Sequence, residues 1–286
     1  MAERLAEVSV QIQNVRQLEA VVTALRGIAA SRAQRARSLL AGIDAYSAVV
    51  SRAIGQALAL MPVDSQRKPD KRRDQIGLIL FCAEQGFAGA FSERVLKAAG
   101  TDLANAMTFV IGTRGLVVAH ERGLSPSWSA PMASHVDAVP SLANNIADAL
   151  YAQIASGRAS TIGMIVPRST SGGGVQIERH SLLPLVLAQF SDVSETLPPL
   201  TTLRPQELLE RLTAEYVYAR LCEAAMHAYE AENQARMMTM TAARHNIGTR
   251  VTTLTQREQQ LRQEEITNEI VELAAGAEAL ASWSKH

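Results

Sequence analysis

Several residue types and patterns are scarce in this sequence, and their scarcity narrows its possible functions. Only two cysteines occur, Cys82 and Cys222, and neither stands in a CxxC or another metal-ligand spacing. We therefore expect neither a disulfide framework nor a zinc site, but two reduced and buried thiols.

The balance of charge and the lack of long apolar runs exclude further classes of function. Basic and acidic residues balance at 28 each, which argues against binding nucleic acid in bulk. No apolar run approaches the roughly 20 residues that span a bilayer, and no signal-like core opens the chain, so we expect membrane association only through partners.

Signatures of catalysis are missing as well. The sequence contains no GxxxxGK[ST], GxSxG or HExxH motif. The turn from Gly86 to Gly89 follows a strand-like run, but it lacks the three-glycine spacing of a dinucleotide site and an acid about 20 residues later. The glycines at 172–174 are typical of a flexible hairpin loop, and the methionines near Met237 are typical of helix packing. We therefore assign no catalytic residue, no cofactor and no metal.

Aromatic residues make up only 4% of the chain, and proline is absent from two long stretches, Leu5 to Leu60 and 206–286. In the first stretch apolar residues alternate steps of three and four, which indicates a coiled-coil seam: Leu5, Val8, Ile12, Val15, Leu18, Val22, Leu25 and Ala29. The second stretch starts at Pro205, a favourable first-turn residue, and keeps roughly helical spacing through Leu208, Leu212, Leu221, Ile247, Val251, Leu254, Leu261, Ile270, Leu273 and Leu280. Helices over these stretches would be roughly 85 and 110 Å long.

The middle of the chain has a different pattern. The run Ile76 to Phe81 predicts a buried strand, and alternating patterns after it predict further strands at Thr108–Ile111 and Thr161–Val166, an edge strand at Val175–Leu183, and helices at Phe91–Ala99, Arg114–Arg122 and Ser141–Ser156. Such alternation favours a parallel, Rossmann-like α/β domain. We predict four parts: a coiled-coil helix over 1–61, a linker over 62–75, the α/β domain over 76–200, and a second coiled-coil helix over 201–286.

Two long amphipathic helices need a partner for their apolar stripes. The economical fold packs them on each other as an antiparallel coiled coil, with the α/β domain inserted between them. Charge supports the pairing, although weakly where it is exposed: residues 1–60 carry seven Arg against four acids, and residues 205–286 carry eight basic residues against twelve acids.

The ends of the chain carry a specific resemblance. Glu232-Asn-Gln-Ala-Arg-Met-Met-Thr-Met-Thr-Ala-Ala-Arg-His-Asn246 and Arg262-Gln-Glu-Glu-Ile-Thr-Asn-Glu-Ile-Val-Glu-Leu-Ala-Ala-Gly-Ala277 resemble two blocks of the gamma subunit of F-type ATP synthases, and Ile28-Ala-Ala-Ser-Arg32 is similar to a third. The order of helix, α/β domain and helix matches too. The chain departs from the family pattern at Glu84-Gln-Gly-Phe-Ala-Gly-Ala90, where an aspartate usually leads, and at Gly27. These departures indicate a divergent member, and an origin in an alternate F-type ATPase is left open.

The resemblance implies a central rotor shaft without catalytic residues of its own. Ion flow through the membrane c-ring would turn the shaft inside a ring of alpha and beta subunits, with the epsilon subunit beside the α/β domain, at the cytoplasmic face of a bacterial inner membrane. It also implies contacts with these partners, for which our candidates are Ala29, Ser31, Arg32, Arg35, Arg236, Met237, Arg262, Gln263, Thr267, Glu269 and Gly276. The motifs leave the coupling ion open, as well as the direction of catalysis.

Two other functions compete with this interpretation. A stand-alone coiled-coil scaffold or signalling hairpin with an inserted sensor domain would explain the two helices, but not the blocks near both ends. A nucleotide-dependent enzyme would rest on the Gly86 turn alone.

Overall fold

The computed structural model describes residues 2–61, 76–186, 190 and 200–283. Helix α1 spans Ala2–Ala59 and helix α5 spans Pro205–Trp283, which confirms both long helices. The elements between them, in chain order, are β1 Ile76–Phe81, α2 Phe91–Ala99, β2 Met107–Ile111, α3 Thr113–Glu121, β3 Trp128–Ala130, α4 Val139–Ala155, β4 Thr161–Ser169 and β5 Val175–Leu183. The predicted linker 62–75 lies outside the described residues, and the four-part division of the chain stays a prediction.

The five strands form one sheet in the order β3-β2-β1-β4-β5. Strands β1 to β4 are parallel, and β5 runs antiparallel to β4 at the edge. Strand β1 is central and almost wholly buried, as its continuous apolar sequence predicts for a strand covered on both faces. Strand β3 was not predicted, because three residues are too few for a periodicity to show.

Alternate residues of β1 point into two separate cores. On one face, Ile79 and Phe81 pack in a cluster with Ile146 of α4 and Leu221 of α5. On the other face, Leu78 and Leu80 join α2 and α3 in a second cluster. Side chains of α5 take part in both clusters, through Ala225 and Ala231 respectively. The C-terminal helix is therefore part of the core of the α/β fold as well as one of the two helices of the coiled coil.

The chain divides into two compact units, Ile28–Met237 and Met1–Gly27 with Met238–His286. In the first unit, Arg37 of α1 meets Glu230 of α5 at 2.6 Å, while Ser47, later in α1, meets Glu223, earlier in α5. This order shows that the two helices run antiparallel, and it confirms the predicted fold class.

In the second unit, Ser9 donates a hydrogen bond to Glu258 at 2.6 Å, and Val22, Met240 and Ile247 form an apolar cluster. The order of these contacts is again antiparallel. The predicted seam is wrong at Leu18, whose side chain is 52% exposed. Its neighbour Glu19 is the half-buried residue instead and lies 3.7 Å from Arg244, so a charged pair occupies this level.

The predicted seam is also wrong at Ile270 and Leu273, which are 61% and 74% exposed. The reason is the unequal length of the helices. Ser9 lies opposite Glu258 and α1 starts at Ala2, so α5 has no α1 residue opposite it past about Glu265. A helical stripe of apolar residues is buried only where a partner covers it.

Both cysteines are buried free thiols, as the sequence predicts. Burial, with the carboxylates of Glu232 and Glu93 nearby, raises the pKa of Cys82 to about 12, so this thiol stays protonated and unreactive.

Among the described residues no helix is both long and apolar enough to cross a membrane.

Gly115 of α3 allows this helix to approach Cys82. A methyl group at residue 115 would lie 2.0 Å from the Cys82 Cβ, whereas one at Gly42 of α1 would meet nothing within 4 Å. We predict that Gly115→Ala lowers the free energy of unfolding by about 1–3 kcal/mol through overpacking. Gly42→Ala, the control, should raise it by up to about 1 kcal/mol through helix propensity. Urea unfolding of the full-length chain measures both, and equal effects would contradict the packing argument.

Candidate functional site

The candidate contact residues in the second unit lie together on exposed helix. Arg262, Gln263, Thr267 and Glu269 are all exposed on α5, and the Thr267 hydroxyl donates to the Gln263 carbonyl at 2.8 Å. Gly276 lies in the same helix. An exposed run with both charge signs and an amide can bind an outside partner without disturbing the fold.

The candidates on α1 belong to the first unit and have differing environments. Ala29 is buried within the chain, Ser31 is exposed and Arg32 is half-buried. Arg35 is exposed and lies 3.7 Å from the exposed Asp137, an ion pair that contributes little to stability. Ser31 and Arg35 are therefore accessible to a partner, whereas Ala29 contributes to helix packing.

Arg236 holds the turn that follows β1. It is buried and paired with Glu232 one helical turn earlier on α5, and its Nε donates to the Gly86 carbonyl at 3.1 Å. The Glu232 carboxylate accepts the backbone N–H groups of Glu84 and Gln85, each at 3.1 Å. Arg236 and Glu232 thus bind the backbone of the turn after β1 to α5, Arg236 through a backbone carbonyl and Glu232 through two backbone N–H groups. A partner contact for Arg236, or for the half-buried Met237, stays a prediction.

Glu84, which replaces the usual aspartate of the family pattern, is a second fixed point of this turn. Its carboxylate accepts the backbone N–H and hydroxyl of Thr113 at 2.9 and 2.8 Å, and the backbone N–H of Met132 at 2.7 Å. The longer glutamate side chain thereby joins the end of β1 to the start of α3. At the tip, Phe87 has a left-handed φ of 63° and is 67% exposed. The turn presents this aromatic ring on a rigid support.

A polar cluster joins α1, α5 and β4, and no sequence pattern predicts it. Glu223 of α5 accepts Arg168 of β4 at 2.6 Å, Arg220 at 2.5 Å and the hydroxyl of Ser47 at 3.1 Å. Burial alone would raise the pKa of Glu223, but these three neighbours outweigh it and hold the pKa below its usual value. The charged network ties both long helices to the sheet.

His227 lies beside this cluster. Its Nε2 atom is buried without a hydrogen-bond partner, 3.6 Å from the Asp44 carboxylate of α1. Burial, followed by the Arg168 guanidinium, lowers the pKa of His227, although Asp44 and Glu223 favour the protonated form. The imidazole is therefore neutral at pH 7. Sequence patterns miss such a group because its neighbours come from three distant segments.

Comparison with known proteins decides the family. The family model described as ATP synthase matches residues 4–280. The ATP synthase gamma chain of Clavibacter sepedonicus is 26% identical over 299 residues, covering 99% of both chains. The chain belongs to the ATP synthase gamma family.

Solved structures support the fold of this gamma-family chain. A chain in a cryo-EM structure of the Euglena gracilis mitochondrial ATP synthase, titled OSCP/F1/c-ring, matches with a TM-score of 0.67 at 8% identity, covering all of this chain and 97% of the other. A chain from the rotor of the same synthase matches with a TM-score of 0.61 at 8% identity, covering 93% and 100%. At such identity the likeness concerns the fold alone. In this gamma-family chain, two residues of the block that starts at Glu232, Glu232 itself and Arg236, fasten the turn after β1 to α5.

The internal task of Arg236 can be tested with a matched pair on the same helix. Arg236–Glu232 and Arg211–Glu207 are both Arg–Glu pairs four residues apart, but the first is buried and the second is largely exposed. We predict that Arg236→Ala costs about 3 kcal/mol or more, because it leaves a buried carboxylate unpaired. Arg211→Ala should cost less than about 1 kcal/mol. Denaturant unfolding measures the free energy of unfolding of both variants. Similar losses in the two would show that the buried pair stabilises the fold no more than the exposed pair does.

The lowered pKa of His227 predicts acid sensitivity. Above the unfolded-state value of about 6.5 the imidazole is neutral in both states, so it adds no pH dependence. Below that value the unfolded chain binds a proton more readily than the folded chain, and the free energy of unfolding should fall with falling pH. Unfolding curves between pH 7.5 and 5 should show a smaller fall for His227→Gln. A fall of the same size in this variant would assign the proton uptake to other groups.

Proposed function

We propose that the chain is the central rotor shaft of an F-type ATP synthase, coupling rotation of the membrane c-ring to ATP synthesis or hydrolysis on alpha and beta subunits. The observation that carries the proposal is the antiparallel pairing of α1 with α5, found within each of the two units, in a member of the gamma family. Two helices locked along their length resist bending and twisting more than one helix does, as torque transmission requires.

The fastening of α5 to the α/β fold supports the same role. Torque applied to one helix must reach the rest of the subunit without slipping. Arg236 and Glu232 hold the turn after β1, and Glu223 joins α1, α5 and β4 through Ser47 and Arg168. These contacts involve charged groups and are at least partly buried, so each is stronger than a hydrogen bond between neutral groups. We infer that the α/β fold turns together with the long helices and bears on the c-ring and the epsilon subunit.

The surface of α5 supports contact with a surrounding ring. Beyond the part covered by α1, Ile266, Ile270, Val271 and Leu273 are exposed, next to the polar run that starts at Arg262. An apolar helix surface can rotate inside a surrounding ring of subunits because it forms few directional bonds with that ring. Single polar side chains can form hydrogen bonds with the ring that break and re-form during rotation. We propose that Arg262, Gln263, Thr267, Glu269 and Gly276, together with Ser31, Arg32 and Arg35, are the contacts with the catalytic ring.

No residue of the described parts is assigned to catalysis, and we propose that the chain is the non-catalytic subunit of the rotary complex. We further propose a peripheral position on the cytoplasmic face of a bacterial inner membrane, held by the partner subunits. The gamma-chain relative of Clavibacter sepedonicus supports a bacterial setting. A stand-alone scaffold would share the paired helices but gives no reason for the family match over residues 4–280.

The proposal predicts assembly without intrinsic activity. Co-expressed with alpha and beta subunits, the chain should purify with them in a complex whose ATP hydrolysis depends on all three, while the chain alone should hydrolyse no ATP. Robust ATPase activity of the isolated chain would contradict the shaft function.

The proposed ring contacts predict a coupling defect. Arg262→Glu combined with Gln263→Ala should lower coupled ATP synthesis by about tenfold, since lost positioning contacts commonly cost that much or more. The residues are exposed, so the unfolding free energy should change by less than about 0.5 kcal/mol. The control is Arg250→Glu, which reverses the charge of another exposed arginine on α5 that is not a candidate contact. Unchanged synthesis in the double variant would remove these two residues from the contact set.

A further inference from the structure

We propose that Asp44, Glu223 and His227 form a divalent metal site of the zinc type, which links α1 to α5. One ligand atom from each residue lies within 4.8 Å of the other two. One imidazole and two carboxylates are a donor set that Zn²⁺ accepts, with a fourth position left for water. The proposal concerns a site separate from the ring contacts and does not depend on the rotor function.

The geometry suits one small ion. Two donors that bind zinc at about 2.1 Å in a tetrahedron lie about 3.4 Å apart. The His227 Nε2 and Asp44 Oδ1 atoms are 3.6 Å apart, close to that edge and too long for a hydrogen bond. His227 and Glu223 stand four residues apart on α5 and so share one face of the helix. The Glu223 ligand oxygen lies within 4.8 Å of the other two ligand atoms, so it must move closer to them for all three to bind one ion.

His227 faces the other proposed ligands, with its Nε2 atom 3.6 Å from the Asp44 carboxylate. Its buried Nε2 atom has no hydrogen-bond partner, which costs free energy in a folded protein. A metal ion would satisfy that nitrogen and the facing Asp44 carboxylate at once.

Arginines surround the cluster but leave room for an ion. Glu223 offers about four lone-pair sites, of which Arg168, Arg220 and Ser47 use three. The fourth remains for the metal. Three carboxylates, those of Asp44, Glu223 and Glu178, stand against the two guanidinium groups of Arg168 and Arg220.

Cobalt(II) is the probe, because its visible absorption reports coordination number and zinc can displace it. The full-length chain should bind one equivalent of Co²⁺ with the intense visible bands of a four- or five-coordinate site, and Zn²⁺ should abolish them. His227→Gln and Asp44→Asn should each weaken Co²⁺ affinity at least about tenfold. His180→Gln is the matched control, since His180 also pairs with a carboxylate, Glu178, at 3.0 Å beside Arg168.

The cobalt bands of the folded variants distinguish a metal site from its absence. Asp44 is half exposed, so Asp44→Asn should fold normally, and circular dichroism of each metal-free variant checks this. Loss of the cobalt bands in Asp44→Asn and His227→Gln, with retention in His180→Gln, supports the site. No cobalt bands in the folded wild-type chain, or bands unaffected by Asp44→Asn and His227→Gln, would overturn it and leave the arginines as the only cations of the cluster.

Discussion

Close packing of small side chains on α5 is the constraint on which the rest of the first unit depends. Ala224, Ala225, Ala228 and Ala231 are buried there, and so are Ala29, Ala33 and Ala36 of α1. Helix separation depends on the side chains at the contact, and small side chains such as alanine allow close approach. The longer side chains of α5 then reach across to the turn after β1, to β4 and to α1. Larger residues at these positions would separate the groups that form the Arg236 and Glu223 networks.

Those networks differ from ordinary surface ion pairs in what they join. Arg236 and Glu232 bind main-chain atoms of the turn, so they constrain the backbone and not merely a side chain. Glu223 contacts residues from α1, α5 and β4 at one point. Buried polar networks are costly unless every member is satisfied, and here most members are. Three buried nitrogens of the Glu223 cluster have no hydrogen-bond partner among the described residues: the Nε atoms of Arg168 and Arg220 and the Nε2 atom of His227. The proposed metal site is built around the last of these.

The sequence predicted the framework well, because the framework follows from local patterns. Strand β1 and helix α2 have the predicted bounds, since an unbroken apolar run and a clear amphipathic segment leave little choice. Leu18 was misplaced because a strict heptad spacing does not reveal where a charged pair such as Glu19–Arg244 takes over the seam. The candidate contacts from the family resemblance proved of two kinds, exposed ones such as Arg262 and buried ones such as Arg236. Burial depends on tertiary contacts, which no local pattern contains. The cluster around His227 was out of reach for the same reason.

The unequal length of the two helices has a practical consequence for handling the protein. Past the end of α1, four large apolar side chains of α5, at positions 266, 270, 271 and 273, face solvent in the isolated chain. Exposed apolar side chains grouped at one end of a helix promote self-association. Co-expression with the proposed partner subunits is therefore the natural route to soluble material, and a chain shortened before Ile266 would be the better-behaved fragment.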